Sequence, residues 1–164
     1  MKQNRKGFTL IELLAVIVIL AIIALIATPI ILNMINEARR SSAKSSTLGF
    51  VDSIEYYAGF SEANAAGGMD LSGYGVAVPG AGTCKKTSSG WANGDGITAK
   101  VTVNGSEVDA CKAFMDAVEA KSKGKAPDEA EAKLDAAGKV QASSKFTFGK
   151  LECTYDGTDV TKCE

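Results

Sequence analysis

Residues 13–27 are fifteen apolar amino acids without a break. With its flanks the apolar stretch covers residues 8–32, about 37 Å as an α-helix, against roughly 30 Å for the hydrocarbon of a bilayer. Lys2, Arg5 and Lys6 precede it with no acidic residue among them. A basic leader before an apolar run also describes a secretory signal peptide, but that apolar region is normally about 7 to 15 residues long and ends at a small-x-small cleavage site. Here the run is longer, and "ALIATP" contains no A-x-A. Orientation is not decided by charge. Lys2, Arg5 and Lys6 favour a cytoplasmic N-terminus, but Arg39, Arg40 and Lys44 lie beyond the other end.

The exception within the apolar stretch is Glu12. A carboxylate at the centre of a membrane helix costs about 2.5 to 3.5 kcal/mol on insertion scales. Near a helix end the side chain reaches the headgroups and the cost falls. Glu12 therefore either sits passively at the interface or is held for later pairing with a positive charge inside the membrane, where ionisable groups usually mark function.

Its neighbours separate the two readings. "KGFTLIELL" places a lysine and a glycine before Phe8, a glutamate four residues after it, and the long apolar helix behind. This stretch, residues 6–32, resembles the class III signal of type IV prepilins and their pseudopilin relatives. The resemblance implies that a prepilin peptidase cuts between Gly7 and Phe8 on the cytoplasmic face and methylates the new amine of Phe8. Gly7 suits such a site because a residue without a side chain lets another backbone approach closely. The resemblance further implies that Glu12 of one subunit meets the Phe8 amine of a neighbour in a growing filament. In a helix Phe8 and Glu12 also share a face, so pairing within one subunit is the competing possibility.

Pro29 removes the hydrogen bond to the carbonyl of Leu25, which predicts a kink. Many pilins carry a glycine upstream of the corresponding proline; this chain has Ala21 and Ala24. Beyond the apolar stretch, Leu48, Val51, Ile54, Tyr57 and Ala58 recur at steps of three and four, with Glu37, Arg39, Arg40, Lys44, Asp52 and Glu55 elsewhere. One helix over residues 8–60 follows, about 80 Å long. The amphipathic pattern lasts under two heptads, too short for an independent coiled coil.

The remainder is a head, residues 61–164. Residues 61–96 read as loop, rich in Gly and Ala, with one short candidate strand at 75–78. "ITAKVTV", the Asn104-Gly105 turn and "SEVDA" read as strand, turn and strand. Residues 111–123 have helical spacing of Phe114, Met115 and Val118. Residues 127–138, "PDEAEAKLDAAG", read as a second short helix with Pro127 in its first turn and Gly138 as its stop. "KFTFGKLECTY", "DGTD" and "VTKCE" read as a closing hairpin. The predicted fold class is α+β: a long N-terminal helix, its first half transmembrane, packed on a small antiparallel sheet head with short extra helices. The predicted organisation is a cleaved basic leader at 1–7, a membrane and filament-core helix at 8–32, its amphipathic continuation at 33–60, and the head.

Four cysteines, Cys84, Cys111, Cys153 and Cys163, all follow the apolar run. An even count beyond a membrane segment reads as disulfides in an oxidising compartment. A four-thiolate zinc site is the competitor, but no C-x-x-C occurs and the intervals of 27, 42 and 10 fit no finger or ribbon. Of three possible pairings, the favoured one joins Cys153 to Cys163 across "YDGTD", leaving Cys84 to Cys111.

Enzymatic readings find little support. Histidine is absent, which excludes Ser-His-Asp and Cys-His catalysis. "NGDG" and "DGTD" miss the spacing of a calcium loop and read as turns, and "KSKGKAP" lacks a P-loop frame. Asn104-Gly105-Ser106 matches a glycosylation sequon but equally a hairpin turn. Trp91, the only tryptophan, reads as a core anchor or as a surface contact. Lys2, Arg5 and Lys6 are three of the 18 basic residues, so the rest of the chain carries 15 against 19 acidic ones. That balance gives no electrostatic basis for nucleic-acid binding. No cofactor is expected. The resemblance implies a type IV pilus subunit, held in the bacterial membrane before assembly and then part of an extracellular filament of like subunits, with prepilin peptidase and assembly machinery as partners. The alternatives are a pseudopilin of a secretion or DNA-uptake system, and a membrane-tethered adhesion module.

Overall fold

The computed structural model describes residues 8–65, 77–103, 105–122 and 124–164. The leader with Gly7, the first part of the candidate strand at 75–78, and Asn104 with its sequon lie outside the described residues. The chain divides into two compact units, Met1–Arg39 and Arg40–Glu164.

A single helix, α1 (Leu10–Ala65), accounts for 56 residues and has Pro29 inside it. Up to Ile35 its large apolar side chains are exposed on every side: Ile11, Leu14, Ile17, Ile22 and Leu25 are all more than half exposed. Among the described residues this is the one helix long and apolar enough to cross a membrane. Helix assignment continues through Pro29, and just before it the Thr28 hydroxyl donates to the carbonyl of Ala24 at 2.6 Å. A hydroxyl bound to the preceding turn in this way is a usual companion of helix bending.

The second unit is an α+β head. After α1 come β1 (Gly82–Thr87), β2 (Gly90–Asn93), β3 (Lys100–Val103), β4 (Ser106–Asp109), α2 (Ala110–Lys121), β5 (Glu129–Leu134), β6 (Ser144–Phe148), β7 (Leu151–Tyr155) and β8 (Val160–Cys163). Six strands form one antiparallel sheet in the order β2-β1-β5-β6-β7-β8, and β3 and β4 form a separate hairpin. The β3–β4 hairpin and α2 are thus inserted between the neighbouring strands β1 and β5. Their connection leaves the sheet and returns to pair antiparallel.

The core follows from two periodicities. Along α1, Phe50, Val51, Ile54, Tyr57 and Ala58 are buried, at the three- and four-residue steps of one helix face. Along the strands, alternate residues point inward: Ala130, Ala132 and Leu134 on β5, Phe146 and Phe148 on β6, Cys153 and Tyr155 on β7. Phe50 links the layers. Its ring stacks on Trp91 at a centroid distance of 6.1 Å and meets the edge of Phe146 at 6.0 Å. Tyr57 packs edge-on against Phe114 of α2 at 5.5 Å. Phe114, Met115 and Val118 of α2 are buried in the same cluster.

One predicted element is wrong. Residues 127–138 hold β5, not a helix, and the head contains one short helix among the described residues rather than two. The reason is visible in "EAEAKL": Glu129, Glu131 and Lys133 alternate with buried Ala130, Ala132 and Leu134. A period of two satisfies a sheet position between β1 and β6, and that tertiary demand overrides the helix propensity of Ala, Glu and Lys. Gly138 is not a helix stop. It adopts φ 80° in the turn after β5, and a Cβ there would come within 2.6 Å of the Ala58 methyl, so backbone passes directly over α1.

The long loop reading of residues 61–96 also fails in part, since β1 and β2 lie within it and α1 extends to Ala65. Residues 77 and 78 are in no strand. The strand read from Ile97 begins at Lys100, and α2 spans Ala110–Lys121 where 111–123 was expected. The closing hairpin is present as β7 and β8, preceded by β6, which joins β7 through a two-residue loop with Gly149 at φ 67°. That conformation is cheap for glycine and strained for other residues.

Candidate functional site

At the start of α1 the backbone N–H groups of the first turn have no helical acceptors. Thr9 and Glu12 supply them. The Thr9 backbone N–H donates to Glu12 Oε2 at 2.9 Å, the Thr9 hydroxyl donates to the same oxygen at 2.8 Å, and the Glu12 N–H points at Thr9 Oγ1 at 3.4 Å. This is a capping box: an N-cap threonine and a glutamate three residues later satisfy each other's backbone donors. It also places a carboxylate at the positive end of the helix dipole. The motif T-x-x-E ahead of an apolar run is its sequence signature, and Thr9 is the site residue that the sequence reading passed over.

Phe8 stands immediately outside the cap and is 90% exposed. Glu12 makes no ion pair with any described residue, and its Oε1 takes part in none of the cap bonds. The start of α1 therefore presents an exposed aromatic at the position whose nitrogen cleavage would free, and one turn away a carboxylate with an oxygen to spare. Gly7 lies outside the described residues. Pro29 lies well along the helix, away from this group.

The cysteines form two bridges, Cys84–Cys111 and Cys153–Cys163. Cys153 and Cys163 face each other across β7 and β8 with Cα atoms 4.1 Å apart. Glu152 and Glu164 beside them exchange both backbone hydrogen bonds, so the cysteines occupy the adjacent, closer non-hydrogen-bonded position, which suits a cross-strand bridge. Cys84 on β1 joins the first turn of α2. There the Cys111 N–H also donates to Asn93 Oδ1 at 3.0 Å, and Asn93 Nδ2 reaches the carbonyl of Ala99 at 2.7 Å.

The other residues weighed as ligand sites have structural partners. Trp91 is 3% exposed, its Nε1 donates to Glu119 Oε1 at 2.7 Å, and the same oxygen pairs with Lys86. In "DGTD" the Asp156 carboxylate accepts the N–H groups of Asp159 and Thr158 and the Thr158 hydroxyl, which holds its pKa below the usual range. Asp159 is likewise lowered, first by its hydrogen bond from Lys44 on α1 at 3.0 Å. In "NGDG", Asp95 pairs with Lys85 at 3.3 Å. These acids fix turns and join the head to α1.

No curated protein and no solved structure matches the chain. The match that exists is at the site just described. Residues 2–28, which include Gly7, Phe8, Thr9 and Glu12, fit the family model of the prokaryotic N-terminal methylation motif, the class III signal peptide of type IV pilins and pseudopilin-type proteins.

Proposed function

We propose that the chain is a structural subunit of a type IV pilus, which polymerises into a helical surface filament after its leader is removed between Gly7 and Phe8 and Phe8 is N-methylated. The observation that carries this reading is the methylation motif over residues 2–28, with Phe8 and Glu12 one helical turn apart at the exposed start of α1. The motif points to a structural protein rather than an enzyme, implies a prepilin peptidase and assembly machinery as partners, and with the apolar helix fits membrane anchoring before assembly.

The mechanism is electrostatic. Cleavage replaces an amide at Phe8 with an ammonium. A carboxylate and an ammonium left separately in lipid are both costly, and bringing them together offsets that cost while fixing the axial register between subunits. The cap bonds from Thr9 hold Glu12 Oε2, which leaves Oε1 for the neighbour's amine. Bending at Pro29 would let the helices follow the filament. Contact of one patch with a different patch on the next copy produces an open fibre rather than a closed ring.

A pseudopilin role shares the same motif, and the length of filaments sheared from cells separates the two. The test of the mechanism is Glu12→Leu. The variant should be cleaved and remain in the membrane yet yield no filaments. Normal filaments from it would overturn the pairing.

A further inference from the structure

We infer that Arg39 is a lipid anchor: its guanidinium binds the phosphate of a phospholipid on the side of the membrane away from the leader, and so sets the depth at which the Gly7–Phe8 bond is presented for cutting. What the anchor serves rests on the subunit reading above, and Arg39 lies outside the methylation motif, which ends at 28.

Two lengths within the first compact unit, which ends at Arg39, fit one bilayer. The last large exposed apolar side chain of that unit is Ile35, and Arg39 follows four residues, about 6 Å, further along α1. The headgroup layer is about 5 to 7 Å deep on each side of the hydrocarbon, so Arg39 reaches phosphate level when Ile35 sits at the hydrocarbon edge. From Leu10 to Arg39 the helix measures about 44 Å, against about 40 to 45 Å for the whole bilayer. A bend of about 20° at Pro29 shortens it by only about 1 Å. With Arg39 in one headgroup layer, the first residue of α1 lies in the other. Phe8, two residues ahead of α1, then lies at the aqueous edge, where a peptidase working from the cytoplasm meets it.

Arg39 is exposed and makes no ion pair or side-chain hydrogen bond with any described residue. Glu37 is two positions away, and residues so spaced do not face each other on a helix. A guanidinium matches two phosphate oxygens at once, and a long basic side chain at a helix end reaches the headgroups while its stem covers apolar surface. The anchor also opposes simple hydrophobic centring. The apolar run from Phe8 to Ile35 is centred between residues 21 and 22, whereas Leu10 and Arg39 have their midpoint between residues 24 and 25. The difference is three residues, about 5 Å. Without the anchor the helix slides by that amount away from the leader side, drawing Glu12 into the hydrocarbon and the Gly7–Phe8 bond into the headgroup layer.

All four cysteines are bonded in disulfides, so Leu14→Cys in the full-length chain supplies a single thiol for a fluorescent label. Its depth is read in vesicles of phosphatidylethanolamine and phosphatidylglycerol by quenching with lipids brominated at known acyl positions. Adding Arg39→Gln should move the label about 5 Å toward the membrane centre, and Arg39→Lys less than half as far. In vesicles of digalactosyldiacylglycerol, which has no phosphate, the chain with Arg39 should sit where the Arg39→Gln chain does. In cells, Arg39→Gln should be cut about fivefold more slowly, the factor for one arginine at a membrane surface. A label that stays put in Arg39→Gln, or a chain with Arg39 that sits equally deep in both kinds of vesicle, would overturn the anchor. A shifted variant that is cut at the unaltered rate would overturn its role in cutting. If the unaltered chain inserts at the stated depth but is never cut, the subunit reading falls instead and the anchor stands.

Discussion

Removing the two disulfides separately should destabilise the head by different amounts, and the difference follows from the loops they close. Cys84–Cys111 spans 27 residues and Cys153–Cys163 spans 10. Chain-entropy bookkeeping gives about 3.5 kcal/mol at 25 °C for the longer loop and about 2.7 kcal/mol for the shorter. Burial acts in the same direction. Cys84 and Cys111 are both fully buried, so Cys84→Ala with Cys111→Ala also leaves a small cavity, while Cys163 is only partly buried. The bridges differ in kind as well, because the long one ties α2 to β1 and the short one holds the edge strand β8. The assay is guanidinium unfolding of the full chain in mild detergent, read by tryptophan fluorescence. Trp91 is the only tryptophan and is buried against Phe50, so the signal reports the head alone. If loss of Cys153–Cys163 costs as much as loss of Cys84–Cys111, or more, the loop argument is refuted.

Two further predictions use the same assay. Phe50→Ala should cost about 3 to 5 kcal/mol, as for other large aromatics removed from a packed core, whereas Tyr56→Ala, six residues along the same helix and 65% exposed, removes an edge-on ring contact with Phe60 at 4.6 Å and should cost no more than about 1.5 kcal/mol; similar losses would mean that α1 does not pack on the sheet through Phe50. Asp156 and Asp159 both have lowered pKa values in the folded head, so their contribution is present above the ordinary aspartate value of about 3.9 and is lost as pH falls through the depressed folded values. Stability should therefore decline on acidification below about pH 4, and Asp156→Asn with Asp159→Asn should flatten that limb. An unchanged acid limb in the double variant would contradict the assignment.

What could be read from the amino acids depended on whether the information was local. The start of α1 is local: a run of apolar residues, a basic leader and one carboxylate define a helix, a membrane length and a site within a few turns. Thr9 is legible only through the backbone donors it caps, since its side chain carries no charge and the carboxylate of Glu12 dominates the pattern. The amphipathic stretch of α1 was legible for the same reason, with Val51, Ile54, Tyr57 and Ala58 at helical spacing and all buried. The head was harder. In β5 two of the three buried apolar positions, Ala130 and Ala132, are alanines, whose helix propensity is the highest of any residue, so the period of two in "EAEAKL" is outweighed locally and decides the element only through pairing with β1 and β6. In β1 and β2, "GTCKKT" and "GWAN" are short and polar, and become strands by pairing with each other and with β5. Long-range pairing carries no mark in a stretch of six residues.

The central claim is that this chain is cut after Gly7 and acts through the amine that the cut exposes. The most direct measurement is the mass of the intact protein isolated from its native cells, with sequencing of its N-terminal peptide. The account predicts a chain that begins at Phe8 and carries one methyl group on its terminal nitrogen. A chain that keeps Met1, or one that begins near residue 28, would contradict it.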